Sequence, residues 1–355
     1  MPLPPSLSKR LLAWYQRHGR KDLPWQHPAA PYAVWISEIM LQQTQVQAVI
    51  PYFERFMARF PDVASLAAAP EDEVLHIWSG LGYYARARNL HRAATVIVSE
   101  HGGELPRNID ALMALAGIGR STAGAILALS FGDRHAILDG NVKRVLCRYH
   151  AIEGWPGTTG VARRLWAIAE AQMPDDHLAD YTQAFMDLGA TLCTRSQPRC
   201  EDCPLNGDCL ALAEGREADL PQRKPRKSAP LRETVFIIVQ DPLGRVLLER
   251  RPPSGIWGGL WSFPECEPGT DVSAWCREHL GVAVTPEREL EVLRHTFSHF
   301  RLNIQPCLVN IDVRGSVDAV KDSPDRQWYE SDGSERIGLA APVTRLLGEL
   351  RSLVD

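Results

Sequence analysis

Apolar residues recur at three- and four-residue spacing along roughly the first 215 positions. YAVWISEIMLQ (32–42), VARRLWAIAEAQ (161–172) and YTQAFMDLGATL (181–192) carry that period, with glycine and proline between such segments. This part reads as helix after helix. The pattern lapses in GREADLPQRKPRKSAP (215–230), which is polar, basic and proline-bearing, as suits an exposed linker. Beyond it come runs with strand character: ETVFIIVQ (233–240), RVLLERR (245–251), LNIQPCLVNIDV (302–313) and RQWYE (326–330). Helical stretches near 273–280 and 343–353 join them. The pattern predicts an all-α domain followed by a smaller α+β domain.

The length, 355 residues, agrees, being too great for one ordinary core. Composition is globular, at 45% hydrophobic and 23% charged residues. No apolar run approaches the roughly 18–20 residues of a membrane span. The opening MPLPPSLSKRLLAWYQ lacks a signal peptide's apolar core and cleavage site, so a soluble, cytoplasmic protein is expected. The net charge of −4 argues weakly against a polyanion ligand, although binding depends on local patches. Basic residues cluster at Arg86, Arg88 and Arg92, at Lys143, Arg144 and Arg148, and at Arg223, Lys224, Arg226 and Lys227. Each cluster reads as a solvated face.

Four of the eight cysteines, Cys193, Cys200, Cys203 and Cys209, fall in the pattern C-x6-C-x2-C-x5-C. Four thiolates so close can surround one tetrahedral metal or an iron–sulfur cluster. Zinc is the rival occupant, although zinc ribbons generally use two separate C-x2-C pairs and only one is present. Cys147, Cys266, Cys276 and Cys307 are dispersed and read as small buried hydrophobes.

Between two helical segments lies LAGIGRSTAGAILALSFGDRHAILD (115–139). Gly117 and Gly119 permit a tight turn and leave backbone N–H groups bare. The next helix, starting near Arg120–Ser121, points its positive end at that turn, making a phosphate site. An ordinary helix connection is the alternative. Asp139 precedes the helical GNVKRVLCRYH and reads as its N-cap, a setting that favours the ionised carboxylate. Such an anion can stabilise a cationic transition state. Glu38 has Val34, Trp35, Leu41 and Gln42 as helical neighbours, so its carboxyl should be desolvated and its pKa raised. A surface glutamate at the edge of the apolar stripe is the alternative.

The hairpin with its downstream aspartate resembles the helix-hairpin-helix, Gly/Pro–Asp signature of base-excision DNA glycosylases. The four-cysteine run is similar to the 4Fe-4S loop of their endonuclease III-like branch. SEIMLQQTQV (37–46), WSGLGYYARARNL (78–90), ILDGNVKRVL (137–146) and MDLGATLCTRSQPRC (186–200) closely resemble the MutY family, adenine DNA glycosylases acting opposite 8-oxoguanine. The resemblance spans nearly the whole chain. It implies a helical domain over 1–215, with a six-helix barrel at about 30–135 and a cluster subdomain from 1–29 and 136–215. A 216–231 linker and a 232–355 Nudix-like domain follow.

The same resemblance implies roles. Glu38 would be the general acid that protonates a ring nitrogen of adenine and helps activate water. Asp139 would stabilise the sugar cation, or a covalent adduct, with Asn141 in support. Gln43 and Tyr83 would enter the duplex. Gly117, Gly119, Ser121 and Lys143 would lie at the DNA, Lys143 being near enough in sequence to Asp139 to trap a sugar aldehyde adventitiously. Cys193, Cys200, Cys203 and Cys209 would hold a 4Fe-4S cluster. Lyase-competent relatives carry at position 121 a lysine that forms a Schiff base, which serine cannot do. A monofunctional glycosylase is therefore expected, with a bifunctional glycosylase/lyase for oxidised pyrimidines as the alternative.

RRPPSGIWGGLWSFPE (250–265) resembles the Nudix-like domain of the same family. Arg277-Glu278-His279-Leu280-Gly281 lacks the paired glutamates of a working Nudix hydrolase, so this domain is expected to recognise rather than catalyse. Phe297, Ser298 and His299 match the family's 8-oxoguanine-probing loop; an ordinary strand end is the alternative. The expected partner is double-stranded DNA with 8-oxoguanine opposite adenine, bound by a monomer away from any membrane. Partners among other repair proteins are not legible in the sequence.

Overall fold

The computed structural model describes residues 6–224, 229–297, 299–311, 325–330 and 335–351. Its helices are α1 (Leu7–His18), α2 (Pro31–Leu41), α3 (Val46–Arg59), α4 (Val63–Ala68), α5 (Glu71–Trp78), α6 (Ala85–Glu100) and α7 (Ile109–Ala114). There follow α8 (Arg120–Phe131), α9 (Gly140–Tyr149), α10 (Thr159–Ala171), α11 (Leu178–Thr191) and α12 (Leu210–Ala213). The chain divides into two compact units, 1–68 with 89–226 and 69–88 with 227–355. None of the described helices is long and apolar enough to cross a membrane.

In the first unit α2 begins on Pro31, whose missing N–H costs nothing at a helix start. It buries Val34, Trp35, Ile36, Ile39 and Met40 and packs against α8. α8 is apolar almost all round, burying Ala123 through Ala128, as a central helix must. α11 packs against α1, α8 and α9. A core of Leu11, Trp14, Leu146, Leu165 and Leu188, among others, joins α1, α9, α10 and α11.

The segment Gly19–Gln26 is tied to α11 by one buried carboxylate. Asp187, fully buried, accepts from the Arg20 backbone N–H at 2.7 Å and from the Arg20 guanidinium at 2.6 and 2.9 Å. It also accepts from Gln183 Nε2 at 2.8 Å. A buried carboxylate tolerates desolvation only with such a set of donors.

In the second unit a mixed sheet carries the order β3-β2-β1-β7-β5, with β4 on β1, β6 on β7 and β8 on β2. The strands are β1 (Leu231–Gln240), β2 (Val246–Arg250), β3 (Trp261–Ser262), β4 (Glu265–Cys266), β5 (Val284–Glu289), β6 (Leu293–Thr296), β7 (Arg301–Ile311) and β8 (Arg326–Tyr329). β1 and β7 pair in parallel, from Leu231 opposite Arg301 to Gln240 opposite Asn310, and the other pairings among these strands are antiparallel. Helix α13 (Val272–Trp275) continues as a π turn through Leu280, and α14 spans Ala341–Arg351. Cys266, Cys276 and Cys307 lie buried in this unit's core, as Cys147 does in the first unit's. β5 and β6 carry no strand signal in the sequence: after buried Val284, the rest of β5 is exposed. Their pairing with β7, not an apolar alternation, makes them strands.

Replacing Asp187 with Asn should leave the Arg20 guanidinium short of its counter-charge and cost roughly 3–5 kcal/mol. Thermal unfolding read by circular dichroism checks this, and an unchanged midpoint would refute the clamp.

Candidate active site

The first unit carries an open cavity of about 850 Å³. Glu38, Gln43, Ser121, Asp139 and Asn141 all line it, with Trp25 and Gln183 on the wall. Glu38, near the end of α2, is half-buried and lines the cavity. Burial, and secondarily the negative charge of Asp139, push its carboxyl up to about 8. The apolar neighbours read from the helical period thus have the expected physical effect. At neutral pH Glu38 holds its proton.

Asp139 is the N-cap of α9. One carboxylate oxygen accepts from Val142 N at 2.8 Å and the other from Asn141 Nδ2 at 3.0 Å. Asn141 Oδ1 in turn accepts from Arg144 Nη2 at 2.8 Å. Two glycines allow this segment to sit where it does. A Cβ on Gly189 of α11 would lie 2.5 Å from Asn141 Cβ, and one on Gly124 of α8 would lie 2.6 Å from Ala136 O.

Arg144 and Arg148 were expected on a solvated face, and the structure corrects this. Arg148 is 3% exposed, and its guanidinium donates to Leu220 O, Thr194 O, Arg195 O and Cys193 Sγ. Arg144 donates to Cys193 O and Gly189 O at 2.7 and 2.6 Å. A helical stripe of arginines looks solvated in sequence because its partners are backbone carbonyls, which no sequence pattern reveals. Arg86 departs from the same expectation. It is 8% exposed, lies over the Trp78 and Tyr83 rings, and donates to Gly82 O at 3.1 Å.

Cys193, Cys200, Cys203 and Cys209 ring one small cavity walled by Leu192, Pro198 and Leu212. Burial raises the thiols of Cys200, Cys203 and Cys209, the second to about 11, so metal-free thiols there stay protonated. A single tetrahedral zinc would draw its sulfurs within roughly 3.8 Å of one another. Among the described residues no three His, Cys, Asp or Glu side chains converge closely enough for one ion. Four sulfurs around one cavity, with the Arg148 cation on Cys193, suit an anionic metal–thiolate group.

The hairpin connects α7 to α8. Gly117 has φ +81°, which favours glycine, and Gly119 is the N-cap of α8. No side chain caps that helix start, so its first N–H groups and positive dipole end remain available to an anion. Ser121 Oγ accepts from Leu138 N at 2.9 Å, a contact invisible in the sequence. Lys143 lies half-buried on α9 and does not line the cavity.

Gln43 and Tyr83 share a backbone feature that the sequence does not show. Both are exposed non-glycine residues with positive φ, +60° and +49°. Such strain concentrates where a side chain must be presented in one direction. In the second unit, Phe297 stacks on buried Phe300 at 4.5 Å and packs against His295 and Trp257. His299 is exposed, and Phe297 N donates to Phe300 O at 2.9 Å. Ser298 lies outside the described residues. Arg277, Glu278 and His279 are exposed on the π turn.

Two family models match the chain: HhH-GPD superfamily base excision DNA repair protein over 36–171, and NUDIX domain over 234–349. The adenine DNA glycosylase of Buchnera aphidicola (subsp. Acyrthosiphon pisum, strain APS) is 38% identical over 340 residues, 96% of each chain. That of Homo sapiens is 34% identical over 386 residues, covering 91% of this chain and 70% of the relative. Among solved structures, a thermostable thymine-DNA glycosylase shares 28% identity at TM-score 0.54, covering 58% of this chain and 95% of its own. An endonuclease III–DNA complex, at 21% identity and TM-score 0.51 over 59% and 94% of the two chains, shares the fold of the helical part.

The raised Glu38 acid has a cost that depends on pH. Stability from this group is fully present below the ordinary carboxylate range and is lost as pH rises through about 8. Glu38→Gln, which resembles the protonated acid, should therefore be more stable than the parent by roughly 2–4 kcal/mol at pH 8 and indistinguishable at pH 4. Urea unfolding at the two pH values checks this, and an equal difference at both would contradict a buried acid.

Proposed function

The chain belongs to the adenine DNA glycosylase family and is an N-glycosyl hydrolase of DNA base-excision repair; from that premise we propose that it removes adenine paired with 8-oxoguanine and stops at the abasic site. The observation that carries the chemistry is the protonated Glu38 facing Asp139 across one cavity. Adenine is a poor leaving group until protonated, so the site needs an acid that keeps its proton at neutral pH. With adenine flipped into the cavity, Glu38 delivers that proton to a ring nitrogen. The glycosidic bond breaks, and its electron pair leaves with the base. The sugar becomes oxocarbenium-like, and the Asp139 carboxylate, oriented by Asn141 and Val142 N, stabilises it. Water adds to the sugar carbon and returns a proton to Glu38. Release of adenine and an abasic sugar completes the balance.

Duplex binding follows from the other residues. The hairpin N–H groups at Gly117 and Gly119 hold a backbone phosphate, Lys143 lies along the DNA, and Gln43 and Tyr83 enter the base stack. Phe297 and His299, with Ser298 between them, probe the oxidised guanine from a Nudix-like domain over 232–355, joined by a 216–231 linker to a helical domain over 1–215. The enzyme acts as a monomer. Cys193, Cys200, Cys203 and Cys209 bind a 4Fe-4S cluster. These cysteines would hold the cluster in the loop that Arg144 and Arg148 fix, and a bound cluster would cross-link that loop. With Ser121 in place of a Schiff-base lysine, strand cleavage belongs to another protein.

Incubation with a duplex carrying 8-oxoguanine opposite adenine should give strand breaks only after alkali. Strong alkali-independent breakage would instead favour a bifunctional lyase. Glu38→Gln should abolish excision while retaining duplex affinity, and retained turnover would refute the acid assignment. Elemental analysis of the purified protein should find about four irons per chain, and Cys203→Ser should lower that content. Stoichiometric zinc without iron would overturn the cluster.

A further inference from the structure

Ser121 touches the aspartate segment directly. It is the second residue of α8, and its Oγ lies 2.9 Å from Leu138 N, the amide immediately before Asp139. Leu138 is 2% exposed, so that amide has no route to water. A buried N–H without an acceptor costs about 1–3 kcal/mol. One helical turn later, Gly124 lets the same segment approach α8 so closely that a Cβ would meet Ala136 O at 2.6 Å. On the other side, Gly189 of α11 admits Asn141 equally closely. Asp139 therefore sits between two close-packed contacts, and the Ser121 hydroxyl holds the amide immediately before it.

We infer that Ser121 is a positioning residue for Asp139, fixing the peptide that delivers the carboxylate to the sugar. The inference rests on the catalytic reading of Asp139 given above. It gives the serine a role of its own beyond the absence of a lysine. An ammonium has three donors and no acceptor, so a lysine there has nothing to offer the Leu138 N–H. A threonine keeps the acceptor, and an alanine loses it. Displacement of a catalytic group by about 1 Å can cost about a hundredfold in rate.

The test compares Ser121→Ala and Ser121→Thr with the parent, as full-length chains, in single-turnover excision of adenine opposite 8-oxoguanine. Duplex affinity is measured on the same preparations, with the melting temperature as a control for folding. The alanine variant should excise about 10- to 100-fold more slowly at saturating enzyme. Its duplex affinity should stay within about twofold of the parent's, and the threonine variant should recover most of the rate. An alanine variant that excises at the parental rate would overturn the inference. So would a loss of rate that threonine fails to restore, or one matched by an equal loss of affinity. A parent that excises nothing would instead refute the glycosylase reading itself.

Discussion

The burial of one carboxyl group beside a second, hydrogen-bonded one organises the helical unit. Glu38 and Asp139 line the same cavity, and the charge of Asp139 adds to burial in holding the proton on Glu38. The two environments differ in kind. Glu38 projects from an apolar helix with little to solvate a charge. Asp139 caps a helix and receives an N–H on each oxygen. Acid and anion are thereby assigned by surroundings, which is what cleavage of a protonated base from an oxocarbenium-like sugar requires.

Holding that difference demands precision in the segment that carries Asp139, and much of the helical unit supplies it. Gly124 and Gly189 let two helices close on it. Asn141 passes the carboxylate's hydrogen bonding on to Arg144, whose guanidinium also reaches the carbonyls of Gly189 and Cys193. Arg148 completes the connection to the cysteine loop. Carbonyl contacts of Arg144 and Arg148 thus link the cysteine loop to the segment that lines the cavity. In the same way, the buried Asp187 holds Arg20 and Gln183 on the cavity wall.

Legibility from sequence followed the nature of each interaction. Asp139 as an N-cap and the apolar surroundings of Glu38 were readable because both depend on neighbours three or four positions away. The helices and the long strands β1 and β7 were readable from period and β-branched runs. The partner of Ser121 is a backbone amide seventeen positions on, and those of Arg144 and Arg148 are carbonyls. Backbone groups are alike at every residue, so no pattern announces them, and the arginines looked like a wet surface. β5 is not legible in the sequence for a related reason, because its identity comes from β7 beside it. The positive φ of Gln43 and Tyr83 is likewise a tertiary outcome.

The pH dependence of single-turnover adenine excision at saturating enzyme tests the central claim most directly. If Glu38 is the acid, the rate constant holds level through neutrality and falls about tenfold per pH unit above about 8, as its proton is lost. A rate constant that stays constant well above that pH, or that already falls through the ordinary carboxylate range, would contradict the account.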